Sequence, residues 1–369
     1  MTGTLLYPTR SALGVATTVC LVLASLFLGP PAHAAVTCSY SSGSQTVDVE
    51  LSADLDWVFI RVEPGGTAIQ TAAAETSGFP GTFSNCGSAT VGNTTLIDVD
   101  DTSSAGRVTV EIWDGADFGS VDFDINFGDG DFDILNLEGS SEPDEYRLGG
   151  AGVANFNASD GDADITGLTG VEFIQVFGNE GADTLKGSGG GGTGGSATVG
   201  LFLVGGSGSD NLTGGLADDH LSGEFSDDPS PGNDTLKGAA GNDDLFGGPQ
   251  DDIFVPGPGD DRLIGGAGTG DLVDYSDAPG AMFVRLFPGH ATGEGSDDLI
   301  GIDSVTGSAF DDFITGHEGP NGLSGGGGGD RLMGRAGDDV LNGGDGTDLL
   351  NGSSGTDTCL EGERVVACE

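Results

Sequence analysis

Apolar residues recur every nine positions through the second half of the sequence, and each stands two places after an aspartate. From Pro229 the aspartates fall at 234, 243, 252 and 261, and the apolar residues at 236, 245, 254 and 263. A second run extends from Gly307 to Leu360, and shorter pieces occupy 178–186 and 205–222. This period predicts short strands with one large inward side chain each, separated by turns.

The complete block shows which residue type each position requires. Residues 343–351 read G-G-D-G-T-D-L-L-N, and we number the block's positions 1 to 9. This resembles the RTX, or hemolysin-type, calcium-binding nonapeptide G-G-x-G-x-D-x-U-x, where U is a large apolar residue. The sequence contains thirteen blocks of this kind, and twelve of them have Asp at position 6.

The resemblance implies an all-β fold, a parallel β-roll or β-helix solenoid that binds multiple Ca²⁺ ions. In the family each ion lies between consecutive turns, bound by the position 6 carboxylate and by backbone carbonyls of that turn and its neighbour. Carried onto this sequence, the ligand-bearing residues are Asp183, Asp210, Asp219, Asp234, Asp243, Asp252, Asp261, Asp312, Asp330, Asp339, Asp348 and Asp357.

The block also has a direct physical interpretation. Positions 1–6 form a turn in which glycine permits positive φ, and positions 7–9 form a strand. Two blocks then make one circuit, and circuits stack at about the 4.8 Å spacing of neighbouring strands. Asp234 is therefore predicted to lie above Asp252, and Asp243 above Asp261, in two columns.

Several positions depart from the repeat. Asn321 replaces an aspartate, which predicts a weaker site because the charge is lost. Ala217 and Gln250 replace the glycine at position 4 and are expected to distort their turns. Asp183 has no neighbour in phase, so its site is doubtful.

The charge of the chain shows why a cation is needed. The formal net charge is -48, which disfavours nucleic acid and anionic lipid as partners. Stacked carboxylates about 4.8 Å apart repel by about 3.5 kcal/mol per pair at an effective dielectric near 20. One buried apolar residue contributes about 1.5–3 kcal/mol, less than ordering nine residues costs. Calcium, which accepts six to eight oxygens including carbonyls, suits such turns better than Mg²⁺.

The first residues resemble a secretory signal peptide. Residues 1–34 contain Arg10, an apolar stretch over 12–28 and the triplet Ala32-His33-Ala34. We expect cleavage after Ala34, an extracellular mature protein and no membrane association after cleavage. The remaining cysteines, 38, 86, 359 and 368, allow three disulfide pairings. Proximity in the chain favours Cys38–Cys86 and Cys359–Cys368.

The sequence divides into five regions after these assignments: the signal peptide 1–34, a β-rich region 35–177, a first repeat array 178–264, a degenerate linking segment 265–306, and a second array with a disulfide cap 307–369. Residues 35–177 fit either a β-sandwich or longer β-helix coils, and we favour the helix. Residues 187–204 are expected to form a loop, 223–231 another insertion, and 265–306 to add longer strands to the stack. The EF-hand-like clusters at 129–133 and 160–164 lack the loop's Gly and Glu and are interpreted as turns.

Catalytic motifs are weak. His317-Glu318 does not continue as H-E-x-x-H, and the G-x-S-x-G at 322–326 lies within two abutting repeats, without the strand-turn-helix context of a nucleophile elbow. The leading interpretation is a noncatalytic secreted calcium-binding protein. The alternatives are a polysaccharide-active enzyme or an adhesin on the same scaffold, with an extracellular polysaccharide or cell-surface partner.

Overall fold

The computed structural model describes most of the chain after the predicted leader. The described residues are 36–51, 57–63, 66–73, 83–101, 109–113, 121–127, 133–140, 143–150, 154–155, 165–189, 193, 195–224 and 230–368. The predicted signal peptide and most of the two EF-hand-like clusters lie outside these ranges.

The described residues form strands joined by turns. In the first part of the chain the strands are β1 (Val36–Ser41), β2 (Thr46–Leu51), β3 (Trp57–Val62), β4 (Ala68–Ala73), β5 (Ser84–Thr90), β6 (Leu96–Asp101), β7 (Thr109–Trp113), β8 (Asp122–Asn126), β9 (Ile134–Glu138), β10 (Glu145–Leu148), β11 (Ala154–Asn155), β12 (Ile165–Thr169) and β13 (Phe173–Glu180).

The remaining strands are shorter, most of them three to five residues long. They are β14 (Thr184–Lys186), β15 (Gly200–Ser207), β16 (Asn211–Thr213), β17 (His220–Ser222), β18 (Thr235–Lys237), β19 (Asp244–Gly248), β20 (Ile253–Val255), β21 (Arg262–Gly266), β22 (Leu272–Asp274), β23 (Phe283–Arg285), β24 (His290–Thr292), β25 (Ser296–Ile300), β26 (Ser304–Thr306), β27 (Phe313–Thr315), β28 (Gly322–Ser324), β29 (Gly327–Gly328), β30 (Arg331–Ala336), β31 (Val340–Asn342), β32 (Asp345–Gly346), β33 (Leu349–Ser354), β34 (Thr358–Leu360) and β35 (Arg364–Val366).

Two long sheets run the length of the molecule, and the chain alternates between them. Sheet 1 has the order β1-β2-β6-β8-β12-β11-β10-β14-β16-β18-β20-β22-β26-β28-β31-β34. Sheet 2 runs from β5, β4 and β3 through β7, β9 and β13 to β35. Most neighbours within each sheet are parallel. The prediction of an all-β parallel solenoid is confirmed, and the strands described between residues 36 and 177 join the same two sheets, as the β-helix alternative predicted.

One circuit of the repeat region takes eighteen residues. Leu236 on β18 pairs with Phe254 on β20, and Leu245 on β19 pairs with Leu263 on β21. All four side chains are buried. The position 8 residues therefore face one another between the sheets, as the sequence predicted, and form a continuous apolar core.

The segment expected to be a loop at 187–204 contributes a core strand instead. β15 pairs with β13 and β17 in sheet 2, and Leu201 and Leu203 are buried. The sequence signal is an apolar alternation that does not keep the nine-residue phase. The loop prediction for 200–204 was therefore wrong.

The linking segment continues the same stack. β22 and β26 extend sheet 1, and β25 extends sheet 2. β23 and β24 pair antiparallel beside β25, which inserts a hairpin into sheet 2 before β27. These strands are three to five residues long, so the prediction of longer strands was wrong.

Each end of the solenoid has its own closing structure. At the beginning, β1 lies antiparallel to β2, β4 and β5 add antiparallel strands beside β3, and Cys38–Cys86 links β1 to β5. At the end, Cys359–Cys368 links β34 to the residues after β35. Both favoured disulfide pairings are present. Among the described residues, no helix is long and apolar enough to span a membrane.

Candidate metal centres

The position 6 aspartates form two columns, one along each edge of the roll. Oδ1 of Asp252 accepts the backbone N–H of Asp234 at 2.8 Å, and Oδ1 of Asp261 accepts the N–H of Asp243 at 2.8 Å. These are the stacked pairs that the period predicted. Every carboxylate thus receives one hydrogen bond from the preceding circuit.

The first column continues beyond the pairs recognised in the sequence. Asp183 accepts the N–H of Asp144, Asp210 that of Asp183, and Asp234 that of Asp210. Asp183 therefore has neighbours on both sides, and the expectation that it is isolated was wrong. Asp183 and Asp210 are 27 residues apart instead of eighteen, because an additional segment lies between them, so the nine-residue period did not identify them as neighbours.

The second column has two parts, separated by the hairpin of β23 and β24. The first part contains Asp219, Asp243, Asp261 and Asp297. In the second part Asp312, Asp330 and Asp348 stack, and the N–H of Asp348 donates to Glu363.

In most of these aspartates the second carboxylate oxygen is buried and receives no hydrogen bond from the described residues. Burying a charged oxygen without a partner is costly, so these atoms indicate a missing electrostatic partner. The residues are Asp183, Asp234, Asp243, Asp252, Asp261, Asp271, Asp330, Asp339, Asp348 and Asp357.

A backbone carbonyl of the next circuit lies beside most of these oxygens. At Gly178 a Cβ atom would lie 2.3 Å from Asp183 Oδ2 and 2.4 Å from the carbonyl oxygen of Gly205. At Gly238 it would lie 2.4 Å from both Asp243 Oδ2 and the carbonyl oxygen of Pro256. The two oxygens at each of these glycines are therefore less than about 5 Å apart, and one calcium ion with oxygens at about 2.3–2.6 Å spans such a pair. Glycine stands at these two positions because a Cβ atom would overlap both oxygens.

The backbone conformation at position 2 distinguishes most turns in which the second oxygen lacks a donor; Asp234, whose position 2 residue is Glu224, is the exception. A left-handed residue there, with φ between 72° and 121°, precedes ten of the aspartates. Four of these left-handed residues are not glycine: Asn179, Ala239, Arg335 and Ser353. Each costs about 1–2 kcal/mol in this conformation, and strain of this kind is characteristic of functional sites.

Three turns without that left-handed residue are closed, which means that a backbone N–H of the turn donates to the turn's own carboxylate. The N–H of Gly215 donates to Asp219 Oδ2 at 2.5 Å, and the N–H of Ser308 donates to Asp312 Oδ2 at 2.5 Å. Ser140 does the same for Asp144 at 2.7 Å. These three turns stand where a column begins or restarts. Two of the twelve predicted ligands, Asp219 and Asp312, therefore have both oxygens hydrogen-bonded.

Asn321 closes its turn in a related way. Its Oδ1 accepts the N–H of His317 at 2.9 Å, and its Nδ2 donates to the carbonyl of Gly319 and to Asp339 Oδ1. The Nδ2 group of Asn321 thus donates hydrogen bonds to these oxygens, which a carboxylate at this position could not do. The preceding acid, Asp303, is half-buried and contacts His317 Nε2 at 3.0 Å.

The two substitutions at position 4 behave differently. Gln250 adopts φ of 81°, in the same region as the glycines at this position, so its turn keeps the repeat geometry. Ala217 is not left-handed, and its turn is the one closed on Asp219.

Sequence reasoning missed several members of the columns. Asp144 precedes the buried Tyr146 by two places, and Asp297 precedes Leu299 in the same way. Asp271 precedes Val273, but one extra residue in its turn shifts the phase, giving nineteen residues from Asp252. The acid followed two places later by an apolar residue was the signal that could have identified them. Asp297 Oδ2 accepts the hydroxyl of Tyr275 at 2.7 Å.

Burial raises the pKa of these carboxyl groups, and the neighbouring acids add to it. The pKa of Asp234 and of Asp243 rises to about 8, and that of Asp183, Asp252 and Asp261 to about 7. Desolvation is the largest cause in each case. The columns therefore hold a proton or a cation near neutral pH much more readily than ordinary aspartates do.

Comparison with protein families agrees with this geometry. The family model described as RTX calcium-binding nonapeptide repeat (4 copies) matches residues 175–193, 202–228, 230–254, 257–271, 299–319 and 324–359. This part of the chain belongs to the RTX calcium-binding repeat family. No curated protein matches the chain.

The donor set of the RTX array fits calcium. The described residues contain no group of three or more His, Cys, Asp and Glu side chains placed to hold a metal. The oxygens that the turns bring together are those of carboxylates and of backbone carbonyls, and this donor set suits a hard cation with flexible coordination. The matched segments include Asp271 and Asp303 within the linking segment.

Proposed function

We propose that the protein is a secreted, noncatalytic calcium-binding protein whose folding depends on calcium. The observation that carries the proposal is the series of buried aspartate oxygens without a hydrogen-bond donor, most of them beside a carbonyl of the next circuit. Calcium bound there would supply the positive charge that these residues require.

The proposed ligands follow from the geometry of each turn. Asp219 and Asp312 leave the set predicted from sequence because one oxygen accepts an N–H from the preceding circuit and the other accepts an N–H of their own turn. Asp271 joins it, since its Oδ2 is buried without a donor. The resulting set is Asp183, Asp210, Asp234, Asp243, Asp252, Asp261, Asp271, Asp330, Asp339, Asp348 and Asp357.

These residues couple binding to folding because each site is shared between circuits. The carboxylate comes from one turn and a carbonyl from the next, so no site exists until two circuits have stacked. Asp243 and Asp261 are brought together in this way although eighteen residues separate them. Metal sites absent from the unfolded chain convert binding free energy into folding free energy.

Secretion is supported by two features. The first 34 residues have the order of segments expected of a signal peptide. The mature region contains two disulfides, Cys38–Cys86 and Cys359–Cys368, which persist in oxidising compartments.

A noncatalytic role is supported by the positions of Ser324 and of two histidines. Ser324 lies on β28, with parallel strands on both sides, and follows the buried Leu323. The ring of His220 stacks on Phe202 at 4.6 Å and lies 4.8 Å from Phe246. The ring nitrogens of His317 contact Asp303 and the N–H of Gly319.

Far-UV circular dichroism of the mature chain, with millimolar calcium or with chelator, tests the proposal. We expect a β spectrum with the ion and a disordered spectrum without it. A double variant, D243A and D261A, should require more calcium to fold. The matched control, D260A and D277A, removes two exposed acids and should fold like wild type. A chain that folds equally well without calcium would contradict the proposal.

A further inference from the structure

One turn of the first column carries an additional buried acid. Glu224 stands at position 2 of the turn that begins at Gly223, where neighbouring turns of the column have Gly206 and Gly248. Its side chain is only 5% exposed. A charged residue is rarely buried so completely unless it is paired.

The contacts of Glu224 hold its carboxylate in place. Oε1 accepts the N–H of Gly232 at 2.7 Å, which fixes the side chain across its own turn. Oε2 points towards the next circuit, where a Cβ atom on Gly248 would lie 1.9 Å from it. Only glycine fits opposite this oxygen.

Asp234 presents its carboxylate to the same space. Its Oδ1 accepts the N–H of Asp210 at 2.8 Å, while Oδ2 is buried without a donor. A Cβ atom on Gly223 would lie 1.9 Å from this Oδ2 and 2.4 Å from the carbonyl oxygen of Gly247. The carboxylate and the carbonyl therefore converge beside the residue that precedes Glu224.

The two carboxyl groups face consecutive residues of the next circuit. Asp234 Oδ2 lies beside the carbonyl oxygen of Gly247, and Glu224 Oε2 lies beside Gly248. Both side chains are almost fully buried, so two acids placed in this way share a proton or a cation.

We propose that Glu224 is a second carboxylate ligand at the Asp234 site, which makes this the tightest calcium site of the array. The inference rests on the proposed function. Calcium affinity increases with the number of charged ligands, and none of the other proposed ligands has an acid at position 2 of its turn. Glu224, anchored by Gly232, also requires little reorganisation to bind.

Calcium titration of the full mature chain against a competing chelator tests the proposal. The variant E224Q should lose one ion from the tightest class, with its dissociation constant raised about tenfold or more, the scale that separates classes of calcium sites. The matched control is E180Q, which makes the same change at an exposed acid in the same column. It should titrate like wild type.

The outcomes separate this inference from the proposed function. If wild type binds calcium but E224Q and E180Q both titrate like it, the role of Glu224 is wrong and the proposed function stands. If wild type binds no calcium, both fail. Anomalous diffraction from wild-type crystals grown in calcium gives a result that does not depend on a variant folding. An ion contacting both Glu224 and Asp234 supports the inference, and an ion on Asp234 alone overturns it.

Discussion

Asp252 accepts the backbone N–H of Asp234 through Oδ1 at 2.8 Å, while its own Oδ2 is buried without a donor. One oxygen thus fixes the register between circuits and the other is left for a cation. Asp183, Asp234 and Asp271 repeat this division. The structural role and the proposed metal-binding role therefore belong to different atoms of one carboxylate.

Whether a backbone N–H of the turn donates to the second aspartate oxygen should predict how strongly that aspartate affects calcium-dependent folding. We expect D243N to raise the calcium concentration needed for folding several-fold, because Asp243 Oδ2 lacks a donor. D219N should change it little, since Asp219 lies in a closed turn like the one Asn321 already occupies. Calcium titration followed by circular dichroism measures both. Equal effects of the two substitutions would contradict the distinction between open and closed turns.

Acid should partly replace calcium. The pKa of Asp243 is about 8 in the folded, metal-free chain, because of burial first and neighbouring acids second, against about 3.9 when unfolded. The folded form then binds more protons between these values, so its stability is greatest below about pH 4 and is lost as pH rises through 8. A chain dialysed free of metal should gain β structure on acidification from pH 8 to 4.

The raised pKa values also predict that calcium binding and proton release are coupled. Calcium binding at pH 7 should release protons, measurable by calorimetry in buffers of different ionisation enthalpy. A metal-free chain whose circular dichroism stays constant from pH 8 to 4, or calcium binding without proton release, would contradict the raised pKa values.

Left-handed residues that are not glycine should be sites where the fold can be stabilised. Ala239 has φ of 76°, and A239G should raise the free energy of unfolding in calcium by about 1 kcal/mol by removing Cβ strain. The adjacent A240G is the control. Ala240 is not left-handed, so glycine there should leave stability unchanged or lower it. Urea unfolding in saturating calcium measures both, and a loss of stability in A239G would show that Ala239 is not strained.

The C-terminal disulfide should support the last two calcium sites. The carbonyl oxygens of Glu361 and Ala367 lie beside Asp348 and Asp357 respectively, and Glu363 accepts the N–H of Asp348 at 2.7 Å. Cys359–Cys368 closes a short loop around this segment, and such a loop contributes about 2–3 kcal/mol.

Replacing both of these cysteines by serine should therefore weaken binding of about two ions. Replacing Cys38 and Cys86 is the control, because that disulfide lies at the opposite end of the solenoid. It should lower stability without changing the two C-terminal sites. Calcium stoichiometry measured by titration distinguishes the two, and an unchanged stoichiometry in the C-terminal variant would refute the link.

The nine-residue period was sufficient to predict the fold of the repeats. An acid at position 6 and an apolar residue at position 8 specify a turn and a strand locally, so the Asp234–Asp252 stack and the Leu236–Phe254 pair followed directly. Where an insertion broke the phase, this local rule failed. It missed Asp144, Asp271 and Asp297, and it assigned a loop to the region of β15 although stacking on β13 and β17 makes it a strand.

What the sequence could not decide was which carboxylates have an oxygen left for a cation. Asp219 and Asp243 both stand at position 6, yet one is closed by the N–H of Gly215 and the other is not. The difference depends on the handedness of the backbone at position 2 and on the circuit stacked above. Alanine, arginine and serine adopt that conformation here against their own preference, because contacts between circuits outweigh the local cost. The sequence pattern therefore determines where the acids lie, and only tertiary packing determines which of them keep an oxygen without a hydrogen-bond donor.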